Sequence, residues 1–131
     1  MPARDSVRLS LRLMSTSRLI EREVDAMMRA RFSSTIARFD FLSALDRHGA
    51  LTLGEISQYL LVSNGNVTQL NTRLAADGLI QSETDARDRR VRRVRLTAKG
   101  EAAFKQMARA HAALIDRLLA ELTQADRTAL M

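Results

Sequence analysis

The segment LTLGEISQYLLVSNGNVTQLNTRLAADGLIQSETDARDRRVRRVRLTAKG, residues Leu51–Gly100, carries two short helix signatures followed by a basic hairpin. Thr52 with Glu55 three residues on has the form of a capping box, in which hydroxyl and carboxylate satisfy each other's backbone amides at a helix start. Leu53, Ile56 and Leu60 follow at helical spacing and are predicted to face inward. Ser63 reads as the cap of the next helix. Val67, Leu70 and Leu74 form that helix's apolar face, and Gly78 lies just past its end. Its other face is polar: Asn64, Asn66, Thr68, Gln69, Thr72 and Arg73. Leu79–Thr84 and Val91–Leu96 are short extended stretches on either side of a charged tip, the pattern of a β-hairpin. From Asp85 to Arg95 the chain reads DARDRRVRRVR, with six Arg and two Asp.

Working outward, Leu9, Leu13, Ile20, Val24, Met27 and Met28 recur at helical spacing and predict a long first helix from about Val7 to Arg31. Ser33, Ser34 and Thr35 offer caps for a second helix with Phe39, Leu42 and Leu45 inside, closing at Gly49. Beyond the hairpin Thr97 caps a last long helix with Phe104, Met107, His111, Leu114, Leu118 and Leu122 on one stripe. Thr123–Met131 reads as the start of a further helix, truncated at the chain end. The expected fold is therefore mainly α with a small β-hairpin wing: a winged helix-turn-helix over residues 34–97, plus a helical dimerisation region from residues 7–31 and 98–131. The apolar stripes of the two long helices exceed what the small winged unit can cover, which predicts a homodimer.

Composition narrows the chemistry. The chain has 131 residues, 21 Lys plus Arg against 15 Asp plus Glu, a formal net charge of +6 and no Cys. One compact module is expected. Without Cys there are no disulfides, thiolate metal sites or cysteine nucleophiles. His48 reads as a helix-end residue and His111 as a core or interface residue, so no metal site is expected. There is no phosphate loop, no GxSxG and no nucleophile beside a base, so the chain is not read as an enzyme and no cofactor is expected. Arg4, Arg8 and Arg12 interrupt any signal-like or membrane-spanning stretch, so no membrane association and a cytoplasmic location are expected. Lys99 and Lys105 are the only lysines, so the basic excess is arginine, whose forked donors suit phosphate and guanine.

These residues resemble the MarR family of bacterial transcriptional regulators, most specifically in the wing motif DARDRRVRRVRLTAKG, with element order agreeing over nearly the whole chain. The resemblance implies a single module over residues 1–131, acting as a triangular homodimer that binds a palindromic operator in double-stranded DNA. Its members include many repressors released by small aromatic acids. It places Ser63, Asn64, Asn66, Thr68, Gln69 and Arg73 on the recognition helix, and Arg90 on the wing-tip arginine that enters the minor groove, with Arg89 beside it. Asp88 falls on the acidic residue that orients arginines. Gln69 stands where Arg is frequent and Thr72 where Asp is frequent. The stretch VSNGNVTQL is similar to members that control aromatic-acid catabolism, some of which answer to aromatic acyl-CoA thioesters.

The expected function is therefore sequence-specific DNA binding, as a repressor released by a small aromatic acid or its CoA thioester. A winged-helix protein-interaction module and a non-specific DNA-architectural protein are the alternatives. At the wing Arg87, Arg89 and Arg90 are assigned to DNA. Strand alternation makes Arg93 and Arg95 structural or phosphate-facing and leaves Arg92 open. For the effector, an apolar lining including Met28 and Phe39 is expected where the first two helices meet, with Arg18, Arg29, Arg31 and Arg38 available to a carboxylate or CoA phosphates.

Overall fold

The computed structural model describes residues 2–61 and 66–131. Its elements are α1 (Pro2–Phe32), α2 (Ile36–His48), α3 (Leu53–Tyr59), α4 (Val67–Ala76), β1 (Ile80–Thr84), β2 (Arg92–Leu96), α5 (Ala98–Leu118) and α6 (Gln124–Leu130). The fold is mainly helical with one antiparallel hairpin, as the periodicity predicts. Helix α1 starts at Pro2, earlier than Val7.

Most helix starts follow local chemistry. Thr35 accepts from the Arg38 amide, Thr52 and Glu55 close the capping box, Thr97 accepts from the Gly100 amide, and Thr123 forms a second box with Asp126. One cap differs. The side chain of Asn66, not Ser63, accepts from the Gln69 amide at the start of α4. Asn and Ser cap about equally well, and both precede the apolar run, so sequence alone does not separate them. Gly49 and Gly78 follow α2 and α4 at φ 78° and 75°, backbone that a side chain disfavours.

Helix α2 is the central post, with Ala37, Phe39, Asp40, Phe41, Leu42, Ala44 and Leu45 all buried. Around it pack Val24 and Met28 of α1, Ile56 of α3, Leu74 of α4, and Phe104, Met107 and Leu114 of α5. The hairpin pairs Ile80 with Leu96 through to Thr84 with Arg92. Leu51 adds a single-residue rung outside the hairpin: its N–H donates to Val94 O (3.0 Å) and its carbonyl accepts from Val94 N (2.7 Å). The wing is thereby stitched to Leu51, just ahead of the Thr52 cap of α3. Among the described residues no helix is long and apolar enough to cross a membrane.

Candidate nucleic-acid interface

Helix α4 turns Leu74 into the core and leaves Asn66, Thr68, Gln69, Thr72 and Arg73 exposed. Two side-chain ties hold the helix-turn-helix. Asp40 on α2 accepts from the Leu61 amide (2.6 Å), which fixes the end of the α3 segment. Arg38, whose side chain is 17% exposed, donates to Asp77 at the C-terminal end of α4 (2.6 Å). Asn66 is committed through its oxygen to the cap, and the Thr72 hydroxyl donates to Thr68 O (3.0 Å). Gln69 and Arg73, one turn apart on the same face, have side chains free of any intramolecular partner among the described residues. Ser63 and Asn64 lie outside the described residues.

The wing tip is built by two aspartates. Asp85 Oδ1 accepts from the Arg87 amide (2.9 Å), and Asp88 Oδ1 accepts from the Arg90 amide (3.0 Å), two successive side-chain turns. Asp88 also receives the Arg90 Nε (3.3 Å), yet the Arg90 side chain remains 92% exposed. Arg87, Arg89 and Arg92 are exposed and carry no ion pair among the described residues. Arg93 and Arg95 are occupied instead: Arg93 lies 3.0 Å from Glu55 and 3.6 Å from Asp85, and Arg95 lies 3.1 Å from Glu83. Partial desolvation pulls the Glu55 carboxyl upward, but bonds from the Thr52 hydroxyl and amide and the Arg93 charge outweigh it and hold the carboxyl below its usual range. Four of the six wing arginines are thus presented outward.

The six residues assigned to an effector are not gathered round one cavity. Met28 and Phe39 are core residues; Phe39 stacks on Phe104 (5.5 Å) and meets the tilted ring of His111 (4.7 Å). Arg38 belongs to Asp77, and Arg18 lies on an exposed stretch of α1. The amphipathic period placed these side chains near one another in sequence, but packing turns them to different faces. Only Arg29 lines the cleft between α1, α2 and α4, a space of about 360 Å³ bounded also by Arg22, Asp25, Gln69 and Arg73. There Asp25 accepts from the Ile36 amide (2.9 Å) and from Arg29 (2.7 Å), which outweigh the desolvation and lower its carboxyl below the ordinary range. Arg31 lies over the Phe32 ring (5.6 Å) at a second cavity of about 390 Å³ shared with Gln106 and Arg109 of α5. Arg22, Arg73 and Arg109 escaped the sequence-based assignment to cavities because only the packing of separate helices brings them there. Among the described residues no three His, Asp or Glu side chains converge as a metal would require.

Comparison with known proteins agrees with this arrangement. The MarR family model matches residues 35–91, from the cap of α2 through the wing tip. The HTH-type transcriptional repressor MdtR of Bacillus subtilis is 32% identical over 90 residues, 69% of this chain; the chain spans 58% of that relative's length. The structure of a MarR family transcriptional regulator from Silicibacter pomeroyi superposes with a TM-score of 0.82 at 27% identity, covering 98% of this chain and 89% of the other. Bordetella bronchiseptica BpsR, whose DNA binding is regulated by 6-hydroxynicotinic acid, superposes with a TM-score of 0.79 at 24% identity over 92% of this chain and 86% of its own. With helix order, wing and sequence in accord, this chain belongs to the MarR family of winged helix-turn-helix transcriptional regulators.

Proposed function

We propose that the chain is a sequence-specific DNA-binding regulator that acts as a homodimeric repressor on a palindromic operator and is released by a small aromatic acid or its CoA thioester. The observation that carries the DNA reading is the pairing of two open surfaces: the polar face of α4 with Gln69 and Arg73, and a wing tip whose Arg90 is 92% exposed but oriented by Asp88. A helix of this kind fits the major groove, where amide and guanidinium groups read base edges. A projecting arginine fits the narrow, negative minor groove alongside. A solvated hairpin has no use for an arginine held by an Asx turn at its tip.

The effector reading rests on the cleft between α1, α2 and α4. A carboxylate seated between Arg22, Arg29 and Arg73 would draw Arg73 from DNA, and a ring beside it would crowd Gln69. Such a ligand lowers DNA affinity only if it binds this arrangement better than the DNA-bound one. The regulation of BpsR by an aromatic acid supports the class of compound.

The test is fluorescence anisotropy with the duplex upstream of the chain's own gene, against a scrambled duplex of equal length. The promoter duplex is expected to bind more tightly. Arg90→Ala is expected to weaken that binding, and Gln69→Ala to change which bases are preferred, by about 1–3 kcal/mol for a lost base contact. Equal affinity for both duplexes would replace this reading with non-specific architectural binding; no binding to either would favour a protein-interaction module. A thermal-shift screen of benzoates, hydroxycinnamates, hydroxynicotinates and their CoA thioesters, with and without the duplex, tests the effector. Compounds that raise the melting temperature but leave DNA affinity unchanged would overturn it.

A further inference from the structure

We infer that Arg93 is a positioning residue of the wing, forming with Glu55 and Asp85 a strut that sets the wing tip relative to the helix-turn-helix. The inference deepens the DNA-binding reading and rests on it for its functional consequence. Arg93 sits on β2, one residue before the Leu51–Val94 rung that ties the hairpin root to the start of α3. Its Nη1 donates to Glu55 Oε1 (3.0 Å), and the same oxygen accepts from the Thr52 hydroxyl (3.1 Å) and amide (3.4 Å). One carboxylate oxygen therefore joins the first turn of α3 to the second strand. From the other side of the guanidinium, Nε faces Asp85 Oδ2 (3.6 Å), while Asp85 Oδ1 holds the Arg87 amide (2.9 Å) and the Asp85 N–H donates to Val91 O (2.9 Å). The chain of contacts runs from the α3 cap through Arg93 to the turn that presents Arg87. The planar guanidinium can meet both acids at once, which a lysine ammonium on its single stem cannot do as well. Arg93 is thereby turned along the wing and away from the outward set Arg87, Arg89, Arg90 and Arg92.

The strut makes a statement of sign that simple electrostatics contradicts. Glu55 is an acid close to a surface that meets a polyanion. Neutralising it would tighten DNA binding if only net charge mattered. If Glu55 acts by anchoring Arg93, neutralising it releases the wing and weakens binding. Glu55→Gln is suited to the test because Gln serves at the third position of a capping box, so α3 keeps its start.

The chain has no Cys, so Ala86→Cys on the exposed wing tip provides a single site for a nitroxide label in the full chain. Without DNA, Glu55→Gln, Asp85→Asn and Arg93→Gln are each expected to increase label mobility, with the Glu55→Gln/Arg93→Gln double variant no more mobile than either single one. Arg93→Lys should fall between Arg93→Gln and wild type. With the promoter duplex, Glu55→Gln is expected to weaken binding by up to about fivefold, the range one partly exposed ion pair supports, while affinity for scrambled duplex holds or rises. Unchanged mobility in all three variants would overturn the strut. Increased mobility with equal or tighter promoter binding would overturn its role in DNA recognition. Should wild-type protein bind no duplex, the DNA reading fails, and label mobility still decides whether the strut exists.

Discussion

Gly100 sets how closely α5 approaches the root of the hairpin. A Cβ built there would lie 1.9 Å from the Leu79 carbonyl oxygen, at a junction where that oxygen accepts from Thr97 N (3.0 Å) and the Thr97 hydroxyl donates to Gly78 O (2.6 Å). The obstacle is backbone, which cannot swing aside. Gly100→Ala is therefore expected to destabilise by about 1–3 kcal/mol or more, despite the better helix propensity of Ala. Gly54 is the contrast. Its added Cβ meets nothing closer than the Thr52 hydroxyl at 3.9 Å, so Gly54→Ala is expected to stabilise by up to about 1 kcal/mol. Urea denaturation midpoints of the two variants check both signs; a Gly100→Ala variant as stable as wild type would contradict the packing argument.

Between elements, the contact most open to measurement is His111 of α5 against Phe39 of α2, with ring centroids 4.7 Å apart. Burial pushes the imidazole below its ordinary value of 6.5, because charging it beside aromatic rings loses hydration that nothing there replaces. The unfolded chain then binds a proton more readily than the folded one. The contribution is complete above 6.5 and is lost as pH falls through the lower folded value. The melting temperature of wild type is expected to fall between about pH 7.5 and 5, and His111→Phe, which keeps the stack without the titration, is expected to flatten that part of the profile. Parallel profiles for the two proteins would show that His111 does not titrate against folding.

At the scale of the whole molecule, the first half of α1 leaves its apolar side chains exposed. Val7, Leu9, Leu11, Leu13 and Met14 are 55% to 59% exposed, whereas Val24 and Met28 further along the same helix are buried. An apolar helix surface of this length in water favours association with a second copy. Wild type is expected to sediment at twice the chain mass at micromolar concentration, and Leu9→Glu/Leu13→Glu at the mass of one chain. The dimer would place two copies of α4 about one DNA turn apart, roughly 34–36 Å, as a palindromic operator requires. A wild-type monomer at micromolar concentration would overturn the homodimer.

Much of this architecture is written locally. Thr35, Thr52 with Glu55, Thr97 and Thr123 specify helix starts because each satisfies amides within three residues of itself. The hairpin follows from strand alternation and the charged tip. The order of helices, wing and family resemblance are therefore legible in the chain alone. The fate of each arginine is not. Arg87, Arg89, Arg90, Arg92, Arg93 and Arg95 are chemically identical, and alternation separates them only into faces. Tertiary structure decides that Arg93 meets Glu55, 38 positions away, and that Arg38 meets Asp77, 39 positions away, which removes both from the pool that can bind an anion. The same holds for the effector residues. Periodicity places Met28 and Phe39 on inward faces but cannot distinguish a filled core from a cavity wall. That difference depends on how closely neighbouring helices approach, and it is settled by contacts such as Gly100 on Leu79 and Phe39 on His111 between residues distant in sequence.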